Sequence, residues 1–187
     1  MTEQEAREKE KALIAAVARK DHAAFRELYD MTYAKVHFFL KGMLSDPSMA
    51  EDVLVDTYTT VWLKASTFRG KSRGLTWIIG ISRNLGYKAL RKRRQHRSLD
   101  EVVDRLANGR QNNAERLSRK HLLARALKEL PAKHREVLDL VFFHGMTYPE
   151  VAQVLKVPVN TVKSRVFYAK DRLLKALGRM GIEANDI

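Results

Sequence analysis

Residues 148–170 read YPEVAQVLKVPVNTVKSRVFYAK, and this stretch decides the fold class. Tyr148, Val151, Ala152, Val154 and Leu155 recur at helical spacing and make a short amphipathic helix. Lys156-Val157-Pro158-Val159 leaves room only for a tight connection. Asn160 or Thr161 is placed to cap a longer helix that buries Val162, Val166, Ala169, Leu173 and Leu174. The small side chain of Ala152 lets the two helices cross closely, so the pair reads as a helix-turn-helix. Thr161, Lys163, Ser164, Arg165, Phe167, Tyr168 and Lys170 then line the start and outer face of the second helix. Cations and hydroxyls on such a face suit phosphates and base edges in a major groove. A helical hairpin with a solvated charged face is the plainer alternative; turn, cap and basic outer face together favour DNA.

The same period extends outward over the chain. Glycine numbers 9 and proline 4, and few segments alternate with period two, so the whole chain is read as all-α. A helix is expected from Ala12 to Arg19. A second, capped by Asp21, carries Phe25, Leu28, Tyr29, Thr32, Tyr33 and Val36 on one face. Asp46-Pro47-Ser48 breaks the chain and opens a third helix, which shows Ala50, Val53, Leu54, Tyr58, Val61, Trp62 and Ala65 at helical spacing. After the Gly-bounded loop 68–74, a fourth begins at Leu75 and ends in a run of basic residues. Residues 98–118 are polar and contain Asn108-Gly109, which marks a linker with one weak helix over 100–106. Pro131 and Gly145 punctuate the helices that precede the quoted stretch. Two small helical domains follow, 12–97 and 119–180, joined by the linker 98–118.

Charge is distributed unevenly over these units. The net charge is +13, yet residues 1–60 hold 8 basic and 11 acidic groups, while 61–99 hold 11 basic and none acidic. Within that acid-free segment Arg69, Lys71, Ser72 and Arg73 form the loop. Asn84, Lys88, Arg91 and Lys92 follow on the helix, with Phe68, Trp77 and Tyr87 interleaved. Cations hold a phosphate backbone and exposed aromatics stack on unpaired bases, so this is a second nucleic-acid face. The plainer reading makes Trp77 core and the basic run a solvated helix end. Glu51, Asp52 and Asp56 sit on the preceding helix. Glu51 and Asp52 are adjacent and diverge by ~100°, so they do not converge on one ion. Binding to a protein partner is the better assignment.

Other classes are excluded by what the chain lacks. It has no cysteine, hence no disulfide framework or thiolate metal site. Its apolar runs fall far short of the ~20 residues a membrane helix needs. Neither a signal-peptide pattern, nor HxxxH, HExxH, a P-loop or GxGxxG occurs. No enzyme, metal or cofactor is expected, and a cytoplasmic protein without membrane insertion fits. Two function classes are open to a chain with a helix-turn-helix and a second basic face: a ligand-sensing or dimeric regulator with a C-terminal helix-turn-helix, and a nuclease or recombinase, which would need converging carboxylates.

Certain runs resemble the extracytoplasmic-function sigma factors, the compact initiation factors of bacterial RNA polymerase. The first match runs from Ala24-Phe25-Arg26-Glu27-Leu28-Tyr29 through Ala50-Glu51-Asp52 and Phe68-Arg69-Gly70 to Thr76-Trp77-Ile78-Ile79-Gly80-Ile81-Ser82-Arg83-Asn84. It resembles the family's second conserved region. Leu130-Pro131, Arg135-Glu136-Val137 and Thr161-Val162-Lys163-Ser164-Arg165 resemble the fourth. The resemblance implies that Glu51, Asp52, Asp56 and their helix meet the clamp coiled coil of the largest subunit of core RNA polymerase. It implies that the 69–75 loop with Asn84 receives a flipped base of the −10 element, and that the helix beyond holds the single strand. Lys163, Ser164, Phe167 and Tyr168 would read the duplex −35 element. The polymerase flap and an anti-sigma factor are further partners the resemblance allows. The chain departs from the family pattern at Met49, where Asp is frequent, at Val55, where Gln or Glu is, and at Lys156, which replaces a frequent turn glycine.

Overall fold

The computed structural model describes residues 2–44, 46–100 and 119–181, and among them regular structure is helical throughout. Four helices build the first half: α1 (Glu3–Ala18), α2 (His22–Met43), α3 (Pro47–Lys64) and α4 (Gly74–Asp100). The second half holds α5 (Arg119–Glu129), α6 (Ala132–Leu138), α7 (Tyr148–Leu155) and α8 (Val159–Arg179). The linker, with its expected helix over 100–106, lies outside the described residues from 101 to 118.

Local chemistry explains most boundaries. Asp21 accepts from the Ala24 backbone N–H at 3.0 Å and starts α2. Asp46 accepts from Ser48 N at 3.0 Å, and Pro47 occupies the first turn of α3, where its missing N–H costs nothing. Helix α1 begins at Glu3, well before Ala12. A capping box closes it, with Thr2 N donating to Glu5 Oε2 at 2.7 Å and Glu5 N donating to Thr2 Oγ1 at 3.2 Å. The apolar period misses this first stretch because it is solvated and charged.

The first half packs around Ile14, Val17, Leu28, Val36, Phe39, Leu40, Val61, Leu75, Ile78 and Ile79, all nearly inaccessible. Each such side chain contributes about 1.5–3 kcal/mol by leaving water. One polar pair is buried with them. Thr32 Oγ1 donates to Leu28 O at 2.6 Å, which leaves the Tyr58 hydroxyl to donate to Thr32 at 2.8 Å. Burial pushes the Tyr58 phenol well above its ordinary range, so it stays a neutral donor.

In the second half, the Arg135 guanidinium donates to the carbonyls of Leu127, Lys128 and Leu130, satisfying the end of α5. Helix α6 widens into a π-helical turn at Asp139–Phe143 and stops before Gly145, whose φ is +61°. Val137, Leu140, Val151, Val162, Val166 and Ala169 form the core.

Two details of α8 differ from the sequence reading. It starts at Val159, with Pro158 rather than Asn160 or Thr161 at the cap position. The Pro158 carbonyl accepts from Thr161 N and Val162 N, and the fixed proline φ replaces a side-chain cap. Leu174 is 48% exposed, not buried, because the inward stripe passes to Ala176 and Leu177, which pack on Ala126.

The halves touch along α4 and α7. Glu150 completes the capping box of α7 with Thr147, and its other carboxylate oxygen accepts from Thr76 Oγ1 of α4 at 3.2 Å. Arg83 of α4 donates to Glu136 of α6 at 2.7 Å. His144 Nε2 lies 3.0 Å from the Lys35 carbonyl of α2. No helix among the described residues is long and apolar enough to cross a membrane.

Candidate nucleic-acid and protein interfaces

The turn between α7 and α8 aims the outer face of α8. Lys156 adopts a left-handed conformation with φ +54° and ψ +48°, so the chain reverses within four residues. Burial of Val162, Val166 and Ala169 forces Lys163, Ser164, Phe167, Tyr168 and Lys170 outward, with Thr161 and Arg165 half-buried beside them. Phe167 and Tyr168 are 69% and 57% exposed and meet edge to face, their centroids 5.5 Å apart. Two large rings left in water together mark a contact surface. Ser164 Oγ donates to Asn160 O at 3.0 Å, which leaves its lone pairs to accept from outside. Lys170 lies over the exposed Phe142 ring, 5.0 Å from its centroid.

The second face is built from loop 68–74 and α4. Arg69 and Lys71 are exposed at the loop tip, Ser72 is half-buried, and Gly70 supplies a φ of +66°. On α4, Asn84, Lys88 and Arg91 gather with Tyr87, Leu90 and Arg94 along one shallow groove, at i, i+4 and i+7 spacing. Lys92 is exposed beside it. Other basic groups of the segment are engaged within the protein. Arg73 binds Glu10, Arg93 binds Asp46 at 3.0 Å, and Arg83 binds Glu136 while its guanidinium sits 4.7 Å from the Tyr87 ring centroid. Trp77 packs against Phe68 at 5.3 Å, so these two rings brace the loop.

The acidic helix α3 offers a third surface. Asp52, Val55, Asp56 and Thr59 are exposed in a row, whereas Glu51 is drawn towards α2 by His37 Nε2 at 2.7 Å. Val55, at 66% exposure, has no apolar cover. Beside this row runs a groove lined by Phe25, Tyr29, Tyr33, Tyr58 and Trp62. Tyr58 is 4% exposed and belongs to the core, while Phe25, Tyr29, Tyr33 and Trp62 are half-buried against it, so the face of α2 expected to carry Phe25, Tyr29 and Tyr33 does pack inward and its outer edge forms the groove wall. Burial, helped by Tyr33, Glu51 and Asp30, raises the Tyr29 phenol, so it too remains a neutral donor.

Three comparisons with known proteins bear on these surfaces. The family model "Sigma-70 region 2" matches residues 28–96, and "Sigma-70, region 4" matches residues 120–173. The ECF RNA polymerase sigma factor RpoE of Cereibacter sphaeroides is 34% identical over 165 residues, covering 87% of this chain and 91% of that protein. SigM of Bacillus subtilis is 28% identical over 158 residues, covering 83% and 96%. RpoE from Bartonella quintana, solved with the anti-sigma factor NepR, superposes with a TM-score of 0.68 at 28% identity, over 82% of this chain and 96% of that one. CnrH, solved with the cytosolic domain of CnrY, shares the fold with a TM-score of 0.69 at 24% identity, over 91% and 98%.

Proposed function

The chain belongs to the extracytoplasmic-function sigma factors, which direct transcription initiation through region 2 and region 4 domains, and on that premise we propose a division of labour among its surfaces. Residues 12–97 dock on core RNA polymerase and capture the melted −10 strand. Residues 119–180 read the duplex −35 element, and residues 98–118 link the two. No covalent step is involved. The free energy needed to extrude a base, a few kcal/mol, is supplied by holding that base and its flanking phosphates once unpaired.

The observation that carries this reading is the presence of two separate exposed basic surfaces with different chemistry. The face of α8 is a narrow helical strip with a hydroxyl and two rings, suited to a major groove. The loop and the Asn84, Lys88, Arg91 groove form a strip of cations with an aromatic neighbour, suited to a single strand. The Asp52, Val55, Asp56 row and the adjoining aromatic groove support a protein contact, with Val55 as an apolar centre inside an acidic rim. The NepR complex of the Bartonella quintana relative supports an anti-sigma protein as the inhibitory partner of this chain too. The chain acts in the cytoplasm, where core polymerase is.

Run-off transcription from a genomic fragment library tests the reading. Core polymerase with this chain is expected to give promoter-dependent products that core alone does not. Absence of any such product, with binding to core intact, would refute it.

A further inference from the structure

We infer that Glu10 is a positioning residue for strand capture: from α1 it holds the 68–74 loop in the shape that receives the unpaired base. The inference rests on the strand-capture reading of that loop and adds a residue from outside the loop and its helix.

Glu10 is 3% exposed, an uncommon state for a carboxylate. Its two oxygens converge on the place where the loop becomes α4. Oε1 lies 3.1 Å from Arg73 Nε and 3.0 Å from Arg73 Nη2, and Oε2 lies 3.2 Å from Nε. Oε2 also accepts from the backbone N–H of Leu75 at 2.9 Å. Glu10 therefore does from another helix what a cap residue does locally. It satisfies an N–H in the first turn of α4 and puts a negative charge at the positive end of that helix.

The contact leaves no slack. A Cβ at Gly74 would come within 2.8 Å of Glu10 Cβ and 2.8 Å of Ile14 Cδ1, so α1 presses directly on the loop-helix junction. At the loop's other end the Phe68 ring rests on Trp77. Exposed Arg69, Gly70 and Lys71 thus span two fixed points, one aromatic and one ionic.

Packing alone does not require this arrangement. A buried ion pair is often no more stabilising than apolar residues of the same volume. A carboxylate does supply something an apolar group lacks: one rigid group that fixes a guanidinium and a helix end at once. A loop held in shape before binding loses less conformational freedom when it closes on a base. Arg73 then acts as a brace, and Lys71 and Arg69 remain for phosphate.

The test uses the chain bound to core polymerase and a randomised 12-nucleotide single-stranded DNA pool, sequenced after selection. Glu10→Gln keeps the shape but replaces one acceptor oxygen with an NH₂ donor. Its ratio of preferred to disfavoured bases is expected to fall about threefold to tenfold, the scale of re-ordering one or two side chains. Preference in a randomised duplex pool, read by α8, stays unchanged. Arg73→Ala, which leaves the Leu75 N–H capped, gives a smaller loss with an unchanged salt slope; a direct phosphate contact would flatten that slope. This second variant keeps the test decisive if Glu10→Gln does not fold. Wild-type base preference in folded Glu10→Gln, or a flattened salt slope in Arg73→Ala, overturns the inference alone. A wild-type holoenzyme that enriches no single-stranded sequence overturns the strand-capture reading, and the inference with it.

Discussion

At the scale of single residues, two side chains occupy places their chemistry resists. Lys156 holds a φ of +54° at the end of α7, a region that costs a residue with a Cβ more than glycine. Lys156→Gly is expected to stabilise the chain by about 0.5–1 kcal/mol, the gain at the turn being partly offset by a freer unfolded chain. A thermal melt checks it, and an unchanged or lower midpoint would contradict it. Asp139, in the π-helical turn, is raised from 3.8 to about 6, chiefly by burial, with His144 opposing and Glu136 adding. The folded state therefore binds a proton that the unfolded state has already released. That contribution to stability is fully present below about 3.8 and is lost as pH rises through about 6. Asp139→Asn removes it, so urea denaturation from pH 4 to 7 is expected to show the variant gaining stability relative to wild type. A constant difference would be contrary. Thr57, Thr59 and Thr60 adjoin Asp56, but only Thr59 is fully turned to solvent. Thr57 is inaccessible and its hydroxyl donates to Val53 O, so it belongs to the core rather than to the acidic surface.

At the scale of elements, α4 is a core helix on one side and, on the proposed reading, the strand-holding surface on the other. Its Ile78 and Ile79 are buried, while Asn84, Lys88, Arg91 and Arg94 open to one side. Lys88, Arg91 and Arg94 changed together to Gln should weaken single-strand binding for all sequences. The slope of log affinity against log salt should become shallower by about 2, at roughly 0.7 for each lost phosphate contact. Titration between low and moderate salt checks this, and an unaltered slope would remove α4 from the strand path. Caps at this scale were legible. Asp21 and Asp46-Pro47 each act within three residues of the helix they start. The start of α1 and the exposure of Leu174 were not, because one depends on solvated charges and the other on which way α5 packs.

At the scale of the molecule, the two halves meet through polar groups that also serve elsewhere. Arg83, within the acid-free segment, is held by Glu136 of the second half, and the Tyr87 hydroxyl also lies 3.3 Å from Glu136 Oε2. A phosphate arriving at Arg83 competes with that carboxylate. Removing it in Glu136→Ala should loosen the contact between halves. Small-angle scattering should then show a radius of gyration rising above the roughly 16 Å expected for a compact chain of this length. An unchanged profile would mean that apolar contacts between α4 and α7 hold the halves without help.

Sequence by itself determined the helical class, the helix-turn-helix and the separation of acidic from basic segments, because periodicity, caps and charge runs are properties of neighbouring residues. Tertiary structure decided which cations are paired with a carboxylate of the chain itself. Arg73, Arg83 and Arg93 are indistinguishable in sequence from Lys88 or Arg91, yet each meets a carboxylate 63, 53 or 47 positions away. It also left the outer edges of rings that pack against the core open as the wall of a groove beside Val55. Such pairings depend on how helices cross, and no local pattern encodes the partner.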